Sequence, residues 1–333
     1  MHETAPLRVR PSEPLVGWVA RTFRSADRVW SNLLRELPAT GVELVDDGEP
    51  DVWLCDGSRG DLPDTETPIV AVLHEAPSED ECISPMWLEL IDERCREAAA
   101  KASRIVTCSH FSRRGISARY GVDVDRIDVA PYGVDLDVFR PDGPTAEAWL
   151  GDAGGDGRPY VLFVGTVIPR KNVPLLREAM ADLPDHQLAL VLSRGPDDRN
   201  VENLEAAIAP IAGRAVARPN DIDDGQLAQL MRGADVLCLP SLSEGFGLPV
   251  VEAMACGTPV VVSDRGSLPE VAGGAGLVVE PEAGALAEGL RTAIARRREL
   301  RPLVLDRAAH FTWARTAALV AQSLRTAVGP PTA

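Results

Sequence analysis

The chain has 333 residues, 45% of them hydrophobic, with a formal net charge of −16 and an isoelectric point near 4.8. That is the composition of a folded protein of about two domains. It lacks the basic balance of a nucleic-acid binder, and an anionic membrane surface would repel it.

No apolar run reaches the roughly 18 residues of a membrane-spanning helix. The polar residues 1–14 contain no apolar signal core. The six cysteines (Cys55, Cys82, Cys95, Cys108, Cys238, Cys256) form no C-x-x-C pair. Several lie in apolar stretches, where a reduced buried thiol is the default, so a cytoplasmic protein is expected. The basic residues between Arg94 and Arg119 read as a solvated helical face.

In chain order, the first half predicts strands over 15–19, 42–45, 52–54, 69–73, 104–107 and 127–130, with helices over 28–37 and 86–100. Residues 140–159 carry Pro-Asp-Gly-Pro and Gly-Asp-Ala-Gly-Gly-Asp-Gly, the chemistry of a linker. Beyond it the alternation is regular. Strands are predicted over 160–164, 187–192, 215–217, 234–239 and 260–262. Helices are predicted over 173–181, 201–211, 226–232, 285–300 and 313–327, with a fraying tail over 328–333. Alternating strands and helices imply βαβ units and parallel sheets.

Three places carry candidate chemistry. The first is the loop and short helix after the strand over 234–239, with Glu244 beside Gly245 and Gly247 and Glu252 further on. Pro249 suits a first helical turn and Gly257 a helix stop, which puts Glu252 in the first turn. There a carboxylate can complement the helix dipole or reach a ligand hydroxyl pair such as a ribose. Glu244 is either a solvated acid in a tight turn or a ligand contact. The second place is Gly165-Thr166-Val167-Ile168-Pro169-Arg170-Lys171-Asn172. Two cations follow a strand and precede a helix that Asn172 can cap, either as a surface basic pair or as a diphosphate site. The third is His74, at the end of the strand over 69–73, either a structural hydrogen-bonder or a group near a substrate oxygen.

There is no P-loop, no G-x-G-x-x-G after the first strand and no zinc-type cluster. Asp123-Val124-Asp125 and Asp135-Leu136-Asp137 lie in turn-rich connections, where aspartate is common. No metal and no cofactor are assigned.

Together these residues resemble glycosyltransferase family four, retaining enzymes of the GT-B fold. The strongest element is E-G-F-G-L-P-V-V-E-A-M-A-C-G-T-P-V-V, from Glu244, with seven residues between Glu244 and Glu252. V-G-T-V-I-P-R-K-N, I-V-T-C-S-H-F-S-R-R-G-I, P-Y-G-V-D-L-D-V-F-R-P, G-S-L-P-E-V and F-T-W-A-R-T-A add to it. The resemblance covers most of the chain and is weakest before residue 69. It implies an α/β fold of two Rossmann-like domains with parallel sheets facing a central cleft. An acceptor-binding domain would span 1–145 and a nucleotide-sugar-binding domain 156–305. A terminal helix over 306–328 would cross back to the first domain.

By the same resemblance Glu252 would bind the donor ribose. Glu244 would bind hydroxyls of the donor sugar, with backbone groups of Phe246, Gly247 and Leu248. Gly165, Arg170 and Lys171 would bind the diphosphate, and His74 would lie near the reacting sugar. The expected reaction is metal-independent, retaining transfer of a hexosyl group to a carbohydrate or small-molecule acceptor. The donor would be GDP-mannose-like, or a UDP- or dTDP-sugar; Pro249 and Val250 resemble mannosyl- and rhamnosyl-type relatives. Two positions depart from the family pattern. Arg24-Ser25-Ala26-Asp27-Arg28 replaces a Gly-Gly pair, and Tyr132 replaces asparagine. The alternatives are a catalytically silent nucleotide-sugar-binding partner or another GT-B reaction, such as epimerisation.

Overall fold

A computed structural model describes residues 5–12, 24–77, 85–146, 157–166, 168–192, 215–219 and 222–329. The strand expected over 15–19, the helix over 201–211, Cys82, Val167 and part of the turn-rich stretch lie outside the described residues. The chain divides into two compact units. The first comprises residues 1–79, 84–133 and 312–333; the second comprises 80–83 and 134–311. The change from one to the other falls at Gly133, ahead of the turn-rich stretch.

The first unit holds β1 (Leu7–Pro11), α1 (Arg24–Glu36), β2 (Val42–Leu44), β3 (Val52–Asp56), β4 (Ile69–Val72), α2 (Pro85–Lys101), β5 (Arg104–Thr107), α3 (His110–Tyr120) and β6 (Ile127–Val129). Its six described strands are parallel, in the order β2-β1-β3-β4-β5-β6. The first described strand is thus 7–11, which sequence patterning missed. Two arginines and a proline make L-R-V-R-P read as polar. Only Val9 is buried there, and the Arg10 guanidinium lies over the Trp53 ring, 5.2 Å from its centroid.

One face of this sheet carries a core of Val9, Val52, Leu54, Val70, Val72 and Val106. It is closed by Trp30, Leu33 and Leu37 and, from the far end of the chain, by Ala317, Val320, Ala321 and Leu324. The latter four lie on the carboxyl-terminal helix, Trp313–Val328, whose N-cap Thr312 accepts from the Arg315 amide. The other face packs Cys55, Ala71, Leu73 and Ile105 against Cys95, Ala98, Ala99 and Ile116.

The second unit holds β7 (Tyr160–Gly165), α4 (Val173–Ala179), β8 (Gln187–Leu192), β9 (Ala215–Pro219), α5 (Asp224–Gly233), β10 (Val236–Leu239), α6 (Leu248–Ala255), β11 (Val260–Ser263), α7 (Leu268–Ala272), β12 (Leu277–Val279), α8 (Ala283–Ala295) and α9 (Arg297–Ala308). All six described strands are parallel, in the order β12-β11-β10-β7-β8-β9. Strands β8, β10 and β11 are wholly buried, as their near-continuous apolar runs require. The single helix expected over 285–300 is two, parted at Arg296 (φ −99°, ψ 14°).

In this order the unit's first and fourth strands, β7 and β10, are neighbours, with Val236 opposite Val161. The chain moves outward in opposite directions from that pair. Such a switch point leaves an open crevice beyond the carboxyl ends of the two strands, where open α/β sheets bind ligands.

Candidate active site

The segments leaving β7 and β10 carry Arg170, Lys171 and Glu244, and the structure brings all three together. Pro169–Lys171 forms one 3-10 turn after β7. Leu242, in the loop after β10, donates its amide to the Arg170 carbonyl at 2.7 Å, which ties the two segments by their backbones. Lys171 Nζ lies 2.6 Å from Glu244 Oε1. Arg170 Nη1 lies 3.3 Å from Glu244 Oε2 and donates to the Ser243 carbonyl at 2.7 Å. Ser241 Oγ donates to Glu244 Oε1 at 2.6 Å.

The Glu244 side chain is 8% exposed, those of Lys171 and Arg170 14% and 11%. Burial alone would raise the carboxyl pKa. The Lys171 and Arg170 charges, with the Lys171 and Ser241 hydrogen bonds, outweigh it and hold the group below its ordinary value. Two cations against one carboxylate leave a single formal positive charge on this cluster.

Sequence reasoning did not place Gly266 and Ser267 here, although the G-S-L-P-E-V run was visible. The Ser267 amide and Oγ both donate to the Glu244 carbonyl, at 3.0 and 2.9 Å, and Oγ also reaches the Phe246 carbonyl at 2.8 Å. Gly266 sits at φ +64°, and a Cβ there would stand 2.5 Å from the Glu244 amide nitrogen. Its bare α-carbon lets the segment before α7 lie against the Glu244 backbone.

Gly247, at φ +100°, turns the chain into α6, and Pro249 follows in the first turn as expected. Phe246 and Gly247 are buried on the same loop, and Leu248 is buried as the first residue of α6. Glu252 is 2% exposed. It is the fifth residue of α6, hence in the second turn, so the first-turn dipole argument does not apply to it. Asn172 stands at the N-cap of α4 but makes no side-chain cap bond; it adopts a left-handed conformation (φ 53°) instead. Gly165 ends β7, and a Cβ there would meet Lys171 Cε at 3.8 Å.

His74 belongs to the first unit. It lies two residues past β4, with its side chain 21% exposed. Its Nδ1 meets the Tyr132 hydroxyl, and its Nε2 lies 3.4 Å from Oδ2 of Asp56, the last residue of β3. Asp56 is wholly buried and is gripped by Arg59, which also pairs with Asp27 at 2.5 Å. Burial would raise the Asp56 carboxyl pKa; the His74 ring, by its charge when protonated and by its hydrogen bond, and then the Arg59 guanidinium outweigh it and hold it well below the carboxylate range.

Asp56, Arg59 and the Tyr132 contact were missed from sequence. An aspartate ending a strand with an arginine three places on was the available signal for the first two. Ser25 and Ala26 fall in α1 and Asp27 is paired with Arg59, so the stretch that departs from a glycine pair is helix.

Among the described residues, no group of three or more His, Cys, Asp or Glu is placed to hold a metal ion, and no helix is long and apolar enough to cross a membrane.

Residues 153–304 match the family model described as glycosyl transferases group 1. The chain is 35% identical over 282 residues to a D-inositol 3-phosphate glycosyltransferase of Nocardia farcinica, covering 80% of this chain and 61% of that protein. It is 33% identical over 243 residues to the protein of the same name from Paenarthrobacter aurescens, covering 68% and 58%. It therefore spans about three fifths of the length of these curated relatives. Among solved structures it is similar to Anabaena Alr3699/HepE in complex with UDP and glucose (TM-score 0.70, 19% identity, 96% of this chain and 99% of that one). It is also similar to a sucrose-phosphate synthase of Thermosynechococcus elongatus (TM-score 0.67, 24% identity, 82% and 72%). These likenesses show the fold, two parallel-sheet α/β domains of the GT-B class.

Proposed function

On the premise that the chain belongs to the group 1 glycosyl transferases, we propose that it moves a hexosyl group from a nucleotide-sugar to an acceptor hydroxyl, with retention and without a metal. The observation that carries this reading is the buried trio of Glu244, Lys171 and Arg170 at the switch point of the second unit.

Departure of a nucleoside diphosphate builds negative charge on the leaving oxygen. The one net positive charge of the trio stabilises that charge without reorganisation, because its members are already fixed. Glu244 accepts from sugar hydroxyls and Glu252 from the ribose. The acceptor oxygen attacks the anomeric carbon on the face the diphosphate leaves. The carbon–oxygen bond to the diphosphate breaks, and a leaving phosphate oxygen takes the acceptor's proton. His74, on the same reading, acts on the transferred sugar. The five described cysteines are free thiols, which supports a reducing, cytoplasmic setting.

The relatives' printed name supports a phosphorylated cyclitol as the first acceptor to try, and HepE, also solved in complex with UDP-glucose, supports UDP-glucose as the first donor. The test incubates the full chain with UDP-, GDP- and dTDP-sugars, with and without chelator, and follows nucleoside diphosphate release and the anomer formed. A strict Mg²⁺ or Mn²⁺ requirement would remove the metal-free route, and an inverted anomer the retaining one. Donor binding without transfer or hydrolysis would favour a silent binding partner. The specific observation on that side is the helical Arg24–Asp27 stretch, whose Asp27 carboxylate is engaged by Arg59.

A further inference from the structure

Asp56, His74 and Tyr132 leave the carboxyl ends of three strands of the first unit, β3, β4 and β6. Asp56 has little freedom to turn. Its Oδ1 accepts from the Ser58 amide (3.2 Å), the Ser58 hydroxyl (2.9 Å) and the Arg59 amide (3.2 Å). Its Oδ2 accepts from Arg59 Nε at 2.7 Å, and Asp27 holds the same guanidinium from the other side. Oδ2 also faces His74 Nε2.

An ionised carboxylate only accepts hydrogen bonds, so His74 Nε2 must carry a hydrogen. In the neutral ring Nδ1 is then an acceptor, and the Tyr132 hydroxyl is its donor. Burial keeps that phenol protonated, its pKa raised well above the ordinary value. The Tyr132 ring is itself fixed by stacking on Trp313 (centroids 6.2 Å apart, planes 28° apart). Behind the imidazole, the His74 carbonyl accepts from Cys108 Sγ at 3.0 Å.

We propose that Asp56 and Tyr132 are positioning residues that hold His74 as its Nε2–H tautomer in one orientation, ready to share that hydrogen with an oxygen of the transferred sugar. The Asp56 contact leaves room for sharing. At 3.4 Å it is long beside the roughly 2.7–2.9 Å of a full charge-assisted bond. The proposal rests on the reading that His74 meets the donor sugar, but the tautomer does not depend on that reading.

The test uses the full chain labelled with ¹⁵N-histidine. Long-range proton–nitrogen correlation assigns His74 by subtraction of the His74→Asn spectrum. The expected result is a protonated Nε2 and an unprotonated Nδ1. Tyr132→Phe keeps the Trp313 stack and removes only the hydroxyl. It should lower kcat about 10- to 100-fold, the scale of a misplaced group, with donor KM within about twofold and an unchanged melting temperature. An Nδ1–H tautomer in the wild type overturns the proposal, as does an unchanged kcat in Tyr132→Phe. If the wild type transfers no sugar from any donor, the transferase reading fails instead, and the nitrogen spectrum still decides whether the clamp exists.

Discussion

Lys171 Nζ and Glu244 Oε1 stand 2.6 Å apart across the two central strands of the second sheet, 73 positions apart in sequence. The contact joins the turn after the first strand of the unit to the loop after the fourth. Neither segment alone makes a site; the strand order makes one of them.

Removing the carboxylate should be more harmful than removing an ordinary surface acid. Glu244→Ala leaves Arg170 and Lys171 buried without their counter-charge, at a cost of about 3–5 kcal/mol. Urea unfolding followed by circular dichroism measures it. A loss below about 1 kcal/mol would mean that water reaches this cluster freely.

Acid should weaken the protein through the same group. The folded-state pKa of Glu244, and that of Asp56, lies below the unfolded value. Their contribution is therefore complete above the unfolded carboxylate pKa of about 4 and is lost as pH falls toward the folded values. Stability measured stepwise from pH 6 to pH 2.5 should decline below about 4, and less steeply in Glu244→Gln. Equal slopes in the two proteins would contradict this.

Gly266→Ala tests the support beneath the loop. The new methyl meets the Glu244 backbone at 2.5 Å in a left-handed conformation, which by itself costs about 1–2 kcal/mol. The expected outcome is a lower melting temperature together with weakened nucleotide-sugar binding by calorimetry, since Glu244 is displaced. A stable variant with full affinity would show that the loop tolerates the shift.

Glu252→Gln should weaken binding of the donor. A hydrogen bond to a charged group contributes about 1.5–3 kcal/mol, so donor Kd should rise about tenfold or more. The variant should keep its helix content. Binding unchanged for every nucleoside diphosphate would remove the ribose role.

The described thiols should be inert in the native protein. Cys55, Cys95, Cys108, Cys238 and Cys256 are buried free cysteines. Burial pushes the Cys55 thiol up to about 11 and the Cys108 and Cys256 thiols up to about 12. An aromatic disulfide reagent should titrate these five only after denaturation. Fast release of several equivalents from the folded chain would refute it.

The second unit was the more legible in sequence. Its strands β7, β8, β10 and β11 are buried and read as near-continuous apolar runs, and its loop chemistry is contiguous from Ser241 to Pro249. The surroundings of His74 were not legible, because Asp56 and Tyr132 reach it from 18 and 58 positions away through strand order. Likewise the contact of Gly266 and Ser267 with Glu244 depends on β10 and β11 being neighbours, which local periodicity cannot express. Strand β12, with a partly exposed pattern, gave no periodic signal either.

The carboxyl-terminal helix gives the molecule an order of assembly. Ala317, Val320, Ala321 and Leu324 finish a hydrophobic layer whose other buried members all lie at or before Ala130. On the ribosome, the amino-terminal sheet must wait with that layer open while residues 134–311 are translated and can already fold. The first unit, most of which is synthesised before the second, is therefore the one that matures last.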